Sequence, residues 1–228
     1  MSSATEHAHP ALAHHFENLE VQKESATLGM WAFLVQEVLF FGAFFTVYTV
    51  HRNLYYKVFE ASSHHLDWKL GAFNTAVLIC SSLTMALAVH AAAEGKRGAI
   101  VAWLLATVVL GSAFLGVKVV EYHQKWVDQL IPGLRWGSIE HVGHELHLSG
   151  SDVDHAQLYF SLYFGMTGLH ALHMIIGIPI ILWLARRAWR GDFGPVYSTP
   201  VELTGLYWHF VDIVWIFLFP LLYLVGHH

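Results

Sequence analysis

The chain has 228 residues, 55% of them hydrophobic and only 13% charged, with a net charge of −5 and a mean hydropathy of +0.46. A soluble domain carries about 25% charged residues, so this composition suits a membrane protein, most simply one helical bundle at this length. The acidic balance offers no basic surface for nucleic acid, and the single cysteine, Cys80, excludes an internal disulfide.

Residues 1–26 are polar and histidine-rich, with His7, His9, His14 and His15 among Glu6, Glu17, Glu20 and Glu24. They hold no apolar core of a signal peptide, and spacing alone fixes no metal geometry there. The expectation is a cytoplasmic tail, followed by a transmembrane domain over 27–228. A first helix is predicted from about Thr27 to Val50, which places Glu37 at mid-membrane depth in a hydrocarbon core about 30 Å thick. Two readings of Glu37 stand side by side: a protonated, hydrogen-bonded interior residue, or a proton relay or carboxyl-reactive site.

His51 to Asp67 reads as a polar connection. A second helix is predicted from about Trp68 to Ala93, whose embedded Asn74, Thr75, Ser81, Ser82 and Thr84 fit close helix packing in lipid. After a tight turn at Glu94–Gly98, a third helix runs from about Ala99 to Trp126. It carries a small-residue strip of Gly111, Ser112 and Gly116. Near its end Lys118 and Glu121, three apart, read as a solvated or interfacial ion pair. Val127 to Asp152 is a long polar segment in which His141, His144 and His147 recur every three residues. A surface metal site is conceivable there, with a polar loop as the default.

The fourth predicted helix, from about Asp154 to Trp189, places His170 and His173 on one face near mid-membrane. Either haem or metal ligation, or satisfaction by neighbouring polar side chains, accounts for them. Pro179 is a candidate kink, and Arg186, Arg187 and Arg190 form a basic exit. The last apolar run, Val201 to Val225, holds Tyr207-Trp208-His209-Phe210-Val211-Asp212-Ile213-Val214-Trp215, with Glu202 at its entrance. His209 and Asp212 share a helical face, and ionisable groups at that depth normally face a protein interior or a wet cavity.

Five crossings put the termini on opposite sides. Six of the twelve basic residues fall on each side, but the two shortest loops hold five of those on the N-terminal side, which places the N-terminus in the cytoplasm. No nucleophile elbow, phosphate loop or Cys-x-x-Cys pair is present. A membrane di-iron oxygenase needs clustered histidine boxes at the membrane surface, whereas the paired membrane histidines here lie deep. A dihaem arrangement of His170 or His173 against His209 is conceivable in principle. Glu37, Glu121, His170, His173, Glu202, His209 and Asp212 read better as a sparse polar seam, without the tight supporting shell of a metal centre.

Four blocks, in order, carry a resemblance. They are Leu28-Gly29-Met30-Trp31 with Gln36-Glu37-Val38-Leu39-Phe40-Phe41; Leu115-Gly116 with Glu121-Tyr122; Thr167-Gly168-Leu169-His170-Ala171-Leu172-His173; and the Tyr207–Trp215 stretch. With them the chain resembles subunit III of haem–copper respiratory oxidases, in the five-helix bacterial form that lacks the first two helices of longer members. The resemblance implies an all-α, polytopic helical bundle in the bacterial inner (plasma) membrane, packed against oxidase subunits I and II. It implies no haem or copper in this chain, those cofactors residing in partner subunits, together with structural phospholipids and a place in a respiratory supercomplex. Its implied role is to stabilise the catalytic subunit of a cytochrome c oxidase and support proton uptake. A quinol oxidase or a nitric oxide reductase accessory protein is the alternative, and a haem- or iron-binding membrane oxidoreductase a more distant one. Glu37 matches the family's carbodiimide-reactive carboxylate; His170, His173, Glu202, His209 and Asp212 match its polar seam. Arg186, Arg187 and Trp208 fall where lipid is held, a cation at a helix end suiting a phosphate. The histidine-rich tail and the 141–147 segment depart from the pattern.

Overall fold

The computed structural model describes residues 12–146, 148 and 152–226. Its helices are α1 (Leu19–Leu54), α2 (Tyr56–Ser63), α3 (Trp68–Ala93), α4 (Arg97–Val127), α5 (Ile139–Leu146), α6 (Asp152–Arg190) and α7 (Thr199–Tyr223). Between α4 and α5 lies one small antiparallel hairpin, β1 (Leu130–Ile131) with β2 (Arg135–Trp136). Five of the helices, α1, α3, α4, α6 and α7, are long and apolar enough to cross a membrane, as the sequence predicts. The four strong start and stop signals lie where chemistry puts them. Asn18 caps α1 by accepting from the Val21 amide, and Asp67 caps α3 by accepting from Lys69 and Leu70. Gly95 and Gly191 take positive φ beyond the ends of α3 and α6.

The boundaries correct three expectations. First, α1 starts at Leu19, so part of the expected tail is already helix. Second, the connection 51–67 contains α2, because Val58, Phe59, Ser62 and Ser63 line up on one buried face that packs on α6. Third, the long polar segment 127–152 is ordered in part: Leu130, Val142 and Leu146 are fully buried and Trp136 meets Phe160 at 6.1 Å between ring centroids. The sparse apolar residues of those segments act as anchors on the end of the bundle.

Helices α3, α4, α6 and α7 close a ring: α4 touches α3 and α6, and α7 touches the same two from the other side. α1 lies outside this ring against α6 and α7, burying only Leu34, Glu37, Phe41 and Tyr48. The rest of α1 shows Trp31, Val35, Val38, Leu39 and Phe40 outward, a face that only hydrocarbon or another protein can cover. The hub of the ring is Trp208 on α7, fully buried. Its indole donates to Ser81 Oγ on α3 at 3.0 Å. The far side of the ring lies flat against Gly111 of α4 and Gly177 of α6, where an added Cβ would come within 2.9 Å of it. This seat for Trp208 corrects its expected lipid contact, because no surface is left for a lipid to touch.

A second link is electrostatic. Lys118 and Glu121 form not an interfacial pair but a buried one, at 3% and 5% exposure, with Nζ 3.0 Å from Oε2. Glu121 Oε1 accepts from Tyr163 on α6 at 2.6 Å and from Tyr223 at the end of α7 at 2.5 Å. Lys118 also donates to the Tyr223 oxygen at 2.5 Å and stands 4.6 Å over the Trp215 ring. In hydrocarbon such groups cannot borrow partners from water, so the bonds must come from neighbouring helices. At the same end, Tyr48 and Tyr159 donate to the otherwise free carbonyls of Leu221 and Leu222.

Two expected outcomes follow from this packing. Gly111→Ala forces the Trp208 ring to shift and destabilises by about 1–3 kcal/mol, whereas Gly116→Ala, with open space around its Cβ, changes little; midpoints of denaturation in detergent compare them. Glu121→Leu strands the Lys118 ammonium and costs about 3–5 kcal/mol, and adding Lys118→Met recovers much of that loss in the same assay. Equal midpoints for the single and double variants would contradict the buried pair.

Candidate functional site

The seven seam residues resolve into separate groups, built where two or three helices meet. The first is Glu37 of α1 with His173 of α6, Oε2 to Nε2 at 3.3 Å. Both lie roughly midway along their helices. His173 Nδ1 meets the Leu169 carbonyl at 2.8 Å; a carbonyl only accepts, so Nδ1 carries a hydrogen and Nε2 is left facing the carboxyl group. The two groups are close but not at hydrogen-bonding geometry, since Glu37 Oε2 has no hydrogen-bond partner among the described residues. Phe41 packs on His173 at 5.7 Å, and Tyr207 donates to the His173 carbonyl at 2.8 Å. Glu37 is 7% exposed, and Phe41 and Tyr207 pack on the facing imidazole.

His170, one turn earlier, points elsewhere. It is fully buried between Phe114 at 5.3 Å and Trp215 at 5.2 Å, and neither ring nitrogen has a hydrogen-bond partner among the described residues. The i, i+3 spacing that put both histidines on one face thus conceals a division: His173 turns to α1, His170 into the ring. Glu121, with Lys118, Tyr163 and Tyr223, forms the third group described above.

His209 and Asp212 of α7 form the fourth group with Ser82 of α3, whose Oγ lies 2.7 Å from His209 Nδ1. These three line a cavity of about 350 Å³ between α3 and α7, walled by Leu78, Ile79, Leu83 and Ile213. Glu202 stands apart at the start of α7. It accepts from Ser198 and pairs with Lys23 of α1 at 3.1 Å, a clasp between two helix ends.

The basic exit of α6 also divides. Arg187 is engaged: its Nε donates to Asp192 at 2.8 Å, and its guanidinium lies 5.1 Å from both the Trp183 and Phe193 rings. Arg186 is free of that network and lines a groove of about 430 Å³ with Arg190, Trp189 and Val101. A neighbouring groove of about 520 Å³ brings in Arg97 at the start of α4. The arrangement is a basic rim over an apolar floor.

Among the described residues no three His, Cys, Asp or Glu side chains converge closely enough to hold a metal ion. His141 and His144 lie on α5, while His147, like His7 and His9, falls outside the described residues. His209 lies 2.7 Å from Ser82 Oγ on α3, whereas His170 packs between Phe114 and Trp215 and His173 faces Glu37. The residues that sequence reasoning missed are Tyr163, Tyr223 and Ser82 as partners of Glu121 and His209. Lys118 beside Glu121 was the only local signal of the third group, and i, i+3 spacing does not distinguish a buried pair from a solvated one.

The family model described as Cytochrome c oxidase subunit III matches residues 11–149 and 145–227. The chain is 30% identical over 215 residues to cytochrome c oxidase subunit 3 of Alkalihalophilus pseudofirmus, covering 94% of each. It is 28% identical over 232 residues to the cytochrome bo(3) ubiquinol oxidase subunit 3 of Pseudomonas aeruginosa, covering 99% of each. A probable cytochrome c oxidase subunit 3 of Nocardia farcinica is 31% identical over 199 residues, covering 87% of each. With five membrane-crossing helices and these matches over nearly its whole length, the chain belongs to the family of subunit III of haem–copper oxidases.

Proposed function

We propose that this chain is an accessory subunit of a proton-pumping terminal oxidase that passes electrons from cytochrome c to O2. It stabilises the catalytic subunit, binds phospholipid and supports proton uptake, while haem and copper reside in the partner subunits I and II. The observation that carries the reading is the character of its polar groups: Glu37, Glu121, Glu202 and His209 meet polar partners across helix contacts, and no three His, Cys, Asp or Glu side chains among the described residues converge as a ligand set. The name ubiquinol oxidase attached to the Pseudomonas aeruginosa relative supports a second reading in which quinol is the donor, since the donor site belongs to other subunits. The placement in a plasma membrane with the N-terminus cytoplasmic rests on the basic residues of the short loops.

Within this function the Glu37–His173 pair is the proton-handling element, because a carboxyl group and an imidazole face each other near the middle of their helices. The groove rimmed by Arg97, Arg186 and Arg190 is the phospholipid seat, with the phosphate at the helix ends and acyl chains on Val101, Leu105 and Trp189. Arg187 is occupied by Asp192 and serves instead to shape the α6–α7 turn.

Stripping this chain from the purified oxidase is expected to leave the haem and copper content of the remaining complex unchanged and to release a colourless polypeptide. Haem, iron or copper leaving with the chain, seen by absorption spectrum and metal analysis, would overturn the accessory reading. Glu37→Ala is expected to assemble and to reduce oxygen initially at near the parental rate, with fewer turnovers before inactivation or slower proton uptake. Complete loss of the initial rate in a normally assembled complex would contradict that role for Glu37.

A further inference from the structure

Asp212 is 3% exposed, and neither carboxyl oxygen has a hydrogen-bond partner at bonding geometry among the described residues. Ser82 also interacts with it, but the Ser82 hydroxyl is already 2.7 Å from His209 Nδ1. One hydroxyl hydrogen cannot serve both oxygens of Asp212, so at least one lacks a donor beside the cavity of about 350 Å³ that Ser82, His209 and Asp212 line. A buried polar group with no partner is costly, and more so where no water reaches it.

Depth restricts what can fill this notch. Asp212 is the fourteenth residue of the 25-residue α7, so it sits roughly 20 Å from the start of a helix at 1.5 Å rise per residue. Phospholipid headgroups do not reach the middle of a bilayer, and acyl chains carry no donor. The rim is apolar and exposed: Ile79 53%, Leu83 61%, Ile213 51% and Ile216 44%. Along α3 the same outward face carries Ala76, Cys80 and Ala86, all exposed, small side chains that let a second helix approach closely.

We propose that the α3–α7 notch is the docking site for a transmembrane helix of another subunit of the oxidase, and that this helix presents a hydroxyl or amide hydrogen-bond donor to Asp212 at mid-membrane depth. The proposal rests on the chain being one subunit of an oxidase complex. It adds which face binds, and by what chemistry. Asp212 then acts as an acceptor that selects a partner helix by register, because only a donor at the matching depth reaches it.

The test uses the assembled complex. A benzoylphenylalanine photocrosslinker at Ile213 is expected to join this chain to a transmembrane segment of another oxidase subunit, mapped by mass spectrometry to a stretch containing Ser, Thr, Tyr or Asn. Crosslinks confined to lipid, to a quinol, or to a second copy of this chain would overturn the proposal. In parallel, Asp212→Leu is expected to weaken retention in the complex by about three- to tenfold, the range of one interhelical hydrogen bond, while Asp212→Asn retains most of it. The isolated Asp212→Leu chain should be at least as resistant to denaturation as the parent, since it loses an unpaired buried group. Undiminished retention of Asp212→Leu would count against the proposal even if the chain co-purifies as expected, which separates failure of the docking face from failure of the oxidase assignment.

Discussion

A lysine and a glutamate buried inside a helical bundle must find every partner within the protein, and that constraint organises this fold. Lys118 and Glu121 on α4 are met by Tyr163 from α6 and Tyr223 from α7, so three helices are tied at one level. In water such a pair would contribute little, because solvent competes for both ends. Here no solvent competes, and the pair can only be satisfied when the three helices are in register. The aromatic hub above it extends the same logic: Trp208 bonds Ser81 while two glycines give it room, and Trp215 lies under the Lys118 ammonium. Polar satisfaction and close packing thus specify the same arrangement of the ring.

The helix outside the ring obeys a weaker version of the rule. α1 buries a narrow stripe, and two polar contacts pin it: Glu37 to His173 near the middle and Lys23 to Glu202 near its start. Tyr48 adds a third link, to the Leu221 carbonyl. A helix held by so few points depends on each one more than a ring helix does. The carboxyl group at its centre is therefore both a structural anchor and, in the proposed function, the place where a proton is held.

Much of this was legible in the sequence. Five apolar runs gave five membrane-crossing helices, and α3 begins and ends where Asp67 and Gly95 put it. Glu37 and His173 were each recognisable as ionisable groups at depth. What periodicity could not show is which group meets which, since one helical face is wide enough to serve two neighbours. His170 and His173 share a stripe yet contact different helices, and the seam is really five separate places. Lys118 was misread because a buried and a solvated i, i+3 pair have the same spacing; only Tyr163 and Tyr223, distant in sequence, decide between them. Trp208 was assigned to lipid from its position in a motif, but Gly111 and Gly177 take up its surface. The helices α2 and α5 were overlooked because a short amphipathic turn carries too few apolar residues to stand out from a polar loop.

The contrast between the satisfied and unsatisfied groups bears on how such a chain works beside a catalytic partner. Glu121 accepts from Lys118, Tyr163 and Tyr223, and the group reads as mortar. Glu37 instead faces one titratable neighbour, His173 at 3.3 Å, with Phe41 and Tyr207 packed on that imidazole. In the proposed function, a subunit without redox centres bears on a neighbour's proton uptake through such a pair. That requires the bundle to remain rigid around the pair, which is what the buried ion pair and the glycine-seated tryptophan supply.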